Sequence, residues 1–445
     1  MSLHQRLSAL AEAGQPIRVG LIGAGKFGSM FLNQVRSTTG VHLVGIADLD
    51  VERARQRCVD IGWPHEQLKA RDTSDARKTG STWLTDDAES LVGSGAIQIL
   101  IEATGDPACG IRHCRMALRH GVHIIMVNVE ADALAGPLLA REAEAAGLVY
   151  SLAWGDQPAL ICEHVDWART CGFEVVCAGK GTRYLPRFHD STPETVWEAF
   201  GIAAADAERG GMNPKMFNSF IDGTKSAIEM TAVCNATGLL PQEEGLGFPP
   251  ASCWDLANVC RPTAAGGLLS RAGTTEVVSS LHRDESAVEN DLQFGTYVII
   301  EGETEYARRC FKEYRMLPDD SGRYAALFRP THMIGLELGL SVASIALRGE
   351  PTGAPTGFRS DVVSVAKKDL WAGDVLDGEG GYSVWGKQLP AQRSIDARAL
   401  PIGLAHRVKL RSDVARGQMV SWNDVEVDGD CDAVRVRQEM EACCL

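Results

Sequence analysis

The sequence predicts an α/β protein: a doubly wound parallel sheet at the N-terminus, then a smaller α+β domain and a small β-rich module. Three observations favour this class. Apolar runs alternate with helical periodicity over the first 155 residues, a glycine-rich turn follows the first run, and the alternation is lost afterwards. Strands that are apolar on both faces are typical of a parallel sheet covered by helices on both sides.

The predicted strands of the N-terminal part are rich in Val, Ile and Leu. They cover residues 17–22, 42–47, 98–103, 123–128 and 148–153, with a short strand at 82–84. Helical periodicity separates them at residues 51–62, 109–121 and 133–147. The polar segment 63–81 is interpreted as an insertion before the short strand.

Beyond Gly155 the pattern predicts a mixed α+β domain. Helices are expected at 158–170, 214–237 and 330–347, a strand at 173–178, antiparallel strands at 274–281 and 295–301, and irregular chain at 240–270. A Pro/Gly hinge at 349–357 precedes a weak repeat, in which residues 368–376 are echoed by 412–420. We therefore expect domains at 1–155, 156–348 and 358–430, the last helix of the second packing back on the first.

Composition narrows the class of partner. The 445 residues carry 44 Lys+Arg and 58 Asp+Glu, a net charge of -14, which argues against nucleic acid because phosphate backbones attract dense positive charge. No apolar run approaches the ~20 residues of a membrane span, and the N-terminus lacks a signal-peptide core, so a cytoplasmic protein is expected. The 13 Cys are scattered, with Cys443 and Cys444 expected to fray at the tail. A small anionic ligand needs only a local basic pocket.

A nucleotide-binding turn follows the first strand. Its sequence is Gly23-Ala24-Gly25-Lys26-Phe27-Gly28. In this Gly-x-Gly-x-x-Gly pattern the first glycine permits a tight turn, the second lets the backbone approach a pyrophosphate, and the third lets the helix pack on the strand. Asp48 lies about 20 residues further on, where a ribose-binding acid is expected. The motif predicts a Rossmann domain that binds a dinucleotide.

The cofactor's identity stays open between NAD and NADP. Asp48 would repel a 2′-phosphate, whereas Arg53 and Arg55 could bind one or could simply form a solvated helix face. Two further strand ends belong to the same rim of the sheet. Thr104 and Gly105 are expected along the ribose and nicotinamide, and Asn128 and Glu130 at the nicotinamide wall, with Asp132 a buried or helix-capping acid.

The stretch that opens at Gly210 carries the candidate catalytic residues. If residues 214–237 form one helix, five polar side chains share an arc of about 80° on it. They are Lys215, Asn218, Asp222, Lys225 and Glu229. The alternative is a solvated face held by ion pairs between neighbouring turns. We favour a face that binds a substrate hydroxyl or phosphate and transfers a proton.

Other candidates lie outside this helix. Asp156 and Gln157 follow the last strand of the first domain, and Lys180 and Arg183 follow a strand of the second. Arg329 and His332 lie at the start of the returning helix, where a capping histidine is the alternative. No His/Cys cluster has zinc-ligand spacing, but an oxygen-ligand Mg²⁺ or Mn²⁺ site remains an option because carboxylates need no sequence signature.

The motifs resemble a known group of enzymes. The Gly23–Gly28 turn, Glu102-Ala-Thr-Gly105 and Asn128-Val-Glu130 resemble homoserine dehydrogenase-like oxidoreductases. Longer strings resemble the subgroup with a C-terminal SAF domain: Gly155-Asp-Gln-Pro-Ala-Leu, Ala178-Gly-Lys-Gly-Thr, Asn213-Pro-Lys-Met-Phe-Asn and Asp222-Gly-Thr-Lys-Ser-Ala. The repeat after Gly357 is similar to SAF modules.

The resemblance implies a chemistry. One branch of the subgroup, the DXP reductoisomerase-like enzymes, converts 1-deoxy-D-xylulose 5-phosphate to 2-C-methyl-D-erythritol 4-phosphate with NADPH and a divalent metal, a step of isoprenoid precursor synthesis. By that resemblance Lys180, Lys215 and Lys225 would neutralise oxyanion or phosphate charge. Asp222 and Glu229 would be a proton acceptor or metal ligand.

Three functions remain open at this point. The first is such a reductoisomerase, the second a plain dehydrogenase of a homoserine-like or sugar-acid substrate, and the third a non-catalytic NAD(P)-sensing or carbohydrate-binding protein. In each case we expect a small anionic partner and, as is common for such folds, a homo-oligomer.

Overall fold

The computed structural model describes residues 2–209, 212–429 and 431–444. Gly210 and Gly211, which open the stretch with the candidate catalytic residues, lie outside the described residues. The chain divides into two compact units: Met1–Leu160 with Met333–Thr356, and Ile161–His332 with Gly357–Leu445. The predicted domains 1–155, 156–348 and 358–430 are parts expected to fold independently. The division into compact units does not test that prediction.

A six-stranded parallel sheet forms the centre of the N-terminal unit. Its order is β3-β2-β1-β4-β5-β6, so the chain winds outwards in both directions from β1. The strands are β1 (Ile17–Ile22), β2 (Val41–Ala47), β3 (Trp83–Thr85), β4 (Ile99–Glu102), β5 (His123–Met126) and β6 (Tyr150–Leu152). Their residues are almost all buried, as strands covered on both faces must be. The predicted α/β class and doubly wound sheet are confirmed.

Helices cover this sheet, and most begin at an acidic or amide cap. They are α1 (Leu3–Glu12), α2 (Lys26–Val35), α3 (Val51–Asp60), α4 (Thr73–Thr79), α5 (Ala88–Gly93), α6 (Pro107–Arg119) and α7 (Val129–Ala145). Asp50, Asp106 and Asn128 each accept a backbone N–H at a helix start, which satisfies an otherwise unpaired donor. The insertion 63–81 folds into a 3-10 helix (His65–Leu68) and α4.

Helix α8 (Gln157–Thr170) contains the boundary between the units, and the second unit is built on a five-stranded mixed sheet. Its order is β10-β11-β9-β7-β8. The strands are β7 (Glu174–Thr182), β8 (Thr274–Ser279), β9 (Thr296–Glu301), β10 (Leu317–Pro318) and β11 (Tyr324–Arg329). β9 is antiparallel to β7 and β11, whereas β8 runs parallel to β7, so the two strands predicted as antiparallel are separated by β7.

The predicted single helix over 214–237 is wrong. It is two helices, α11 (Pro214–Ile221) and α12 (Thr224–Thr237), joined at Asp222 and Gly223. Gly223 has φ +94°, a left-handed conformation that interrupts the helix and that residues with a side chain rarely adopt.

The α-helices between β7 and β10 are α9 (Val196–Phe200), α10 (Ala204–Arg209), α11 (Pro214–Ile221), α12 (Thr224–Thr237), α13 (Leu256–Val259) and α14 (Glu305–Glu313), with 3-10 helices at Pro186–Asp190 and Thr263–Ala265.

The chain then returns to the N-terminal unit through α15 (Gly339–Arg348). This helix begins nine residues later than the predicted 330–347, and its buried Val342 and Ile345 belong to the core around the first sheet. The start of this helix was thus predicted too early, and the domain assignment to which it belonged stays a prediction.

The C-terminal segment is β-rich with a final helix. It contains β12 (Ser360–Ala366), β13 (Val375–Asp377), β14 (Val384–Pro390), α16 (Ala391–Asp396), β15 (His406–Lys409) and α17 (Asp432–Cys443), with 3-10 helices at Ile402–Leu404 and Trp422–Asp424. The two copies of the repeat meet at a bridge between Leu370 and Val414. The tail does not fray as expected, because α17 extends to Cys443 and the Phe358 N–H donates to the Cys444 carbonyl at 3.0 Å.

Candidate functional site

The glycine turn has the geometry that its sequence predicts. Gly23 has φ +94°, and a Cβ there would lie 2.6 Å from the Ala103 carbonyl oxygen. A Cβ on Gly28 would lie 2.5 Å from the Gly23 oxygen, so this glycine lets α2 pack on the turn. A Cβ on Gly25 would instead meet nothing within 4 Å. The three glycines thus fill the three roles of a pyrophosphate-binding turn, with open space at the middle one.

The start of α2 is suited to a phosphate group. Its N-cap is Gly25, and no side chain accepts from its first N–H groups. Lys26 is exposed, Phe27 packs against the core and Ala24 is buried, so the turn is fixed from within and open outside. Backbone N–H groups and the positive end of the helix dipole favour an anion here. The residues of the turn therefore fit the pyrophosphate of a dinucleotide.

Asp48 is bound to the backbone around this turn. Its Oδ2 accepts from the Ala24 N–H at 2.8 Å and its Oδ1 from the Asp50 N–H at 3.0 Å. The Arg53 guanidinium lies 3.9 Å from Oδ1, while Arg55 donates to the Leu68 carbonyl instead. Of the two predicted arginines, only Arg53 accompanies the ribose-binding acid.

A hydrogen-bonded network holds the turn after β4. Gly105 adopts φ +74°, and Thr104 Oγ1 donates to Glu102 Oε1 at 2.6 Å. Asn128 Nδ2 donates to the Asp106 carbonyl at 2.8 Å and also caps α7. His113 Nδ1 lies 3.1 Å from the same Glu102 oxygen. The buried Glu102 and His113 were not predicted, because nothing in their spacing shows that they meet. Thr104 and Asn128 thus lie in one network, with Gly105 next to Thr104 in the same turn.

Three further acids of this unit were singled out from the sequence. Asp156 Oδ1 accepts from the Gln157 N–H at the start of α8, and both side chains are buried. Asp132 is fully buried, and Tyr150 donates to its Oδ1 at 2.8 Å. Burial raises the pKa of Asp132 to about 7, although the Tyr150 hydrogen bond opposes this. Glu130, predicted at the nicotinamide wall, is half-buried.

A polar row crosses one end of the sheet in the second unit. Lys180 on β7 is opposite Thr296 on β9, which is opposite Arg329 on β11. Directly opposed residues of antiparallel strands point to the same face, so these three side chains stand side by side. The face is otherwise apolar and covered by α8 and α12, through residues such as Val165 and Met230. We call Lys180, Thr296 and Arg329 the polar row.

Lys180 forms a buried ion pair with Glu229. The Nζ atom donates to Glu229 Oε2, and both side chains are less than 10% exposed. Glycines on both sides of the lysine allow the neighbouring backbone of the same chain to come close. A Cβ on Gly179 would lie 1.8 Å from the Glu276 carbonyl oxygen, and one on Gly181 would lie 1.9 Å from the Leu292 carbonyl oxygen. The Gly-Lys-Gly string therefore fixes the lysine on a rigid, closely packed strand.

His164 of α8 joins the polar row and was not predicted. Its Nε2 lies 3.1 Å from Thr296 Oγ1. Burial, and then the charge of Arg329, lower the pKa of His164 to about 4, so the imidazole is neutral at pH 7. A histidine within an ordinary helical pattern gives no signal of this contact. Lys225, half-buried, lies one turn before Glu229 on the same face of α12.

Asp222 and Asn218 contact the C-terminal segment instead. Lys367 Nζ donates to Asp222 Oδ2 at 2.8 Å, to the Ser191 carbonyl at 2.8 Å and to the Gly381 carbonyl at 2.9 Å. Asn218 Nδ2 donates to the Gly380 carbonyl at 2.9 Å. Lys215, the third member of this group, donates to the Asp377 carbonyl at 2.9 Å.

The broken helix explains this separation. The predicted arc assumed one continuous helix, and the turn at Gly223 places Lys215, Asn218 and Asp222 on a different element from Lys225 and Glu229. The structure therefore groups the five polar side chains in two sets: the first three engage the C-terminal segment, and Glu229 meets Lys180.

Two candidate residues lie apart from the polar row's hydrogen bonds. Arg183 Nε donates to the Ala199 carbonyl at 2.9 Å, and the residue lines a cavity of about 310 Å³ with Arg187 and Ser191. His332 Nδ1 lies 2.8 Å from the Phe294 carbonyl. No group of three His, Cys, Asp or Glu side chains that could hold a metal ion occurs in the part of the chain that the structure describes. Among those residues no helix is long and apolar enough to cross a membrane.

Comparisons with known proteins define the class. Residues 17–126 match the model described as oxidoreductase family, NAD-binding Rossmann fold. Together with the pyrophosphate turn, this match makes the protein an NAD(P)-dependent oxidoreductase with a nicotinamide cofactor. Residues 155–338 match a second model, oxidoreductase DRL, catalytic domain. This range of the chain includes the polar row and its ion pair.

Solved structures resemble the chain only distantly. A homoserine dehydrogenase from Thiobacillus denitrificans is 13% identical with a TM-score of 0.43, over 91% of this chain and 97% of that one. A scyllo-inositol dehydrogenase from Lactobacillus casei is 11% identical with a TM-score of 0.38, over 77% and 92%. KijD10, a 3-ketoreductase from Actinomadura kijaniata, is 16% identical with a TM-score of 0.27, over 38% of this chain and about half, 47%, of that chain. These scores support no inference about activity. A search of curated proteins finds no match.

Proposed function

We propose that the protein uses NADPH to reduce a small anionic sugar phosphate or polyol-type substrate, in the manner of a DXP reductoisomerase. The observation that carries this proposal is the buried Lys180–Glu229 pair beside Arg329 at the end of one sheet face. An ammonium group can polarise a carbonyl, and a carboxylate next to it can accept a hydroxyl proton.

The chain's own residues would act as follows. Lys180 donates to the substrate carbonyl and stabilises the oxyanion that develops there. Glu229 accepts the proton of the neighbouring hydroxyl as a carbon–carbon bond of the skeleton breaks and re-forms to give an aldehyde, and it returns this proton to the oxyanion at the former carbonyl. The alkoxide left by reduction of the aldehyde takes its proton from water. Arg329 and Lys225 balance the charge of the phosphate. When bound, the reduced nicotinamide supplies the hydride that converts the aldehyde to an alcohol.

The divalent metal of the resembling branch does not fit the described residues, which contain no metal-ligand group. No step above depends on one.

NADPH is the proposed reductant, with NADH as the alternative. Both Asp48 oxygens are engaged by backbone N–H groups, and Arg53 lies beside them with its side chain 58% exposed. A guanidinium in this place can bind a 2′-phosphate. Arg53→Ala should weaken NADPH binding about tenfold and leave NADH binding unchanged, as measured by fluorescence titration. An equal loss of affinity for NADPH and NADH would show that Arg53 does not bind the 2′-phosphate, and would favour NAD.

A plain dehydrogenase of a hydroxy or sugar acid is the second candidate. The cations of the polar row, Lys180 and Arg329, fit a carboxylate as well as a phosphate. A non-catalytic sensor is the third, and it gives the buried Lys180–Glu229 pair only a structural role. The proposed partners are a small-molecule anion and, as for many enzymes of this class, a second copy of the chain.

Oxidation of NADPH by the purified protein tests these candidates. With 1-deoxy-D-xylulose 5-phosphate we expect loss of the NADPH absorbance and formation of a methylerythritol phosphate, identified by mass spectrometry. The assay is run with Mg²⁺, with Mn²⁺ and with EDTA. Turnover of homoserine or an inositol with NAD(P)⁺ alone would establish the plain dehydrogenase. Tight cofactor binding without any turnover would establish the sensor.

A further inference from the structure

His164 and Thr296 add a different kind of group to the polar row. Lys180 and Arg329 carry cations, which donate hydrogen bonds and cannot accept them. A phosphate or a carbonyl oxygen is satisfied by donors alone, but a sugar hydroxyl needs an acceptor for its own proton. Glu229 is an acceptor, but its Oε2 is bonded to Lys180 and the proposed reaction already assigns it the proton of one hydroxyl. The neutral imidazole can accept as well as donate.

The contact with Thr296 fixes the imidazole. Thr296 is fully buried, and its side-chain oxygen lies 3.1 Å from His164 Nε2. The hydroxyl therefore sets the ring's orientation and leaves Nδ1 as the second hydrogen-bonding atom. His164 is half-buried and not fully enclosed, so its side chain can reach a ligand at the edge of the polar row.

His164 lies near charged groups from three other elements. Arg329 comes from β11, Lys180 from β7 and Glu229 from α12, and the last two neutralise each other in their ion pair. Burial of His164, and then the positive charge of Arg329, disfavour a protonated imidazole. The row thus joins two cations to a neutral group that can accept a hydrogen bond.

We propose that His164, oriented by Thr296, binds a hydroxyl group of the substrate, so that the site selects polyhydroxylated anions over simple anions of the same size. This inference rests on the proposed function, because it concerns the substrate of the same site. Thr296 is a positioning residue that acts through His164. Selectivity of this kind depends on a hydrogen bond that the wrong ligand cannot make.

Calorimetric binding to the whole protein with NADP⁺ tests the proposal with two probes. One is 2-C-methyl-D-erythritol 4-phosphate, and the other is n-butyl phosphate, which carries the same phosphate but no hydroxyls. We expect the wild-type chain to prefer the polyol phosphate by about 30-fold or more. His164→Phe should reduce this preference at least tenfold while changing the affinity for n-butyl phosphate less than twofold.

Two further variants make the result specific. Thr296→Val should reduce the preference in the same way, and the double variant should lose no more than His164→Phe alone. His164→Gln keeps a group that both donates and accepts, so it should retain most of the preference even if the phenylalanine variant folds poorly. An equal loss for both probes would overturn the proposal, as would an unchanged preference in His164→Phe.

Failure of the proposed function looks different. In that case the wild-type chain itself would bind neither of the two phosphate probes. No sugar phosphate would support its oxidation of NADPH.

Discussion

The buried Lys180–Glu229 ion pair could serve stability, chemistry or both. A buried charge that loses its partner costs about 3–5 kcal/mol, whereas replacing both partners with uncharged groups of similar size is often nearly neutral. Stability and activity can therefore be separated by comparing single and double variants of Lys180 and Glu229.

Lys180→Met alone should lower the free energy of unfolding by about 3 kcal/mol and abolish turnover. The double variant Lys180→Met with Glu229→Gln should regain most of the stability, because no unpaired charge remains, but no activity. Urea denaturation and NADPH oxidation measure the two effects. Lys215→Met, on a residue that donates to a backbone carbonyl of the C-terminal segment, is the matched lysine control. Activity in the stable double variant would contradict the catalytic role.

Asp132 makes the stability of the N-terminal unit depend on pH. Burial raises its folded pKa to about 7 from the ordinary 3.8. Between these two values the folded chain holds a proton that the unfolded chain has lost. Its contribution to stability is therefore fully present below about pH 4 and is lost as the pH rises to about 7. Three pKa units correspond to at most about 4 kcal/mol.

Asp132→Asn removes this titration and leaves an amide oxygen that can accept from Tyr150. We expect the variant to match the wild type at pH 4 and to be more stable by about 2 kcal/mol at pH 8. Chemical denaturation monitored at several pH values measures the difference between the two proteins. A difference that does not vary with pH would show that Asp132 does not titrate in this range.

At the scale of elements, the break between α11 and α12 determines which side chains meet. Gly223 is left-handed, and a Cβ there would lie 3.1 Å from His189 Cε1. His189 is held in place by a 2.7 Å contact between its Nδ1 and the Asp222 carbonyl, and it stacks on Trp385 at 3.8 Å. The break is therefore fixed by packing as well as by backbone conformation.

Gly223→Ala should lower the free energy of unfolding by about 2 kcal/mol, because backbone strain and the contact with His189 add. Gly238→Ala is the matched control. Gly238 is also left-handed, at the end of α12, but its nearest neighbour atom would lie 3.7 Å from an added Cβ. The control should cost about 1 kcal/mol from strain alone. Urea denaturation that gave equal losses would show that the contact with His189 relaxes freely.

The break at Gly223 shows which features of the fold can be predicted from the sequence and which cannot. Strand alternation and the glycine turn are local patterns, and they predicted the first sheet and its pyrophosphate turn. Gly223 within a helical pattern is interpreted as a tolerated glycine, because nothing in the neighbouring sequence indicates its left-handed φ. The polar row is a property of strand register: Lys180, Thr296 and Arg329 lie far apart in the chain, and no spacing rule pairs them.

At the scale of the whole molecule, the C-terminal segment belongs to the same compact unit as residues 161–332. Lys367 from this segment is 2% exposed and bonds the fully buried Asp222. Strands β12 and β14 also contribute to the packing around α12, through the Thr231–Ser360 contact at 2.9 Å and the Gly386 N–H that donates to Thr224 at 2.8 Å. A segment so buried against its neighbours should be needed for their folding.

Ending the chain at Thr356 tests this dependence. We expect the shortened protein to bind NADPH, because the nucleotide turn lies in the other unit, but to lose the unfolding transition of residues 161–332 and all turnover. Limited proteolysis and urea denaturation followed by near-UV circular dichroism measure the two units separately.

Lys367→Met provides a milder version of the same test. It leaves Asp222 buried without its cation, so we expect a loss of about 3 kcal/mol confined to the second unit. Lys368→Met, at the exposed neighbouring position, is the control and should change stability by less than about 0.5 kcal/mol. If the shortened chain kept residues 161–332 folded, the C-terminal segment would be an independent module, as the boundary at residue 358 predicts. If it lost them, the C-terminal segment would be part of the same folding unit as residues 161–332, because its Lys367 neutralises the buried Asp222 of that unit.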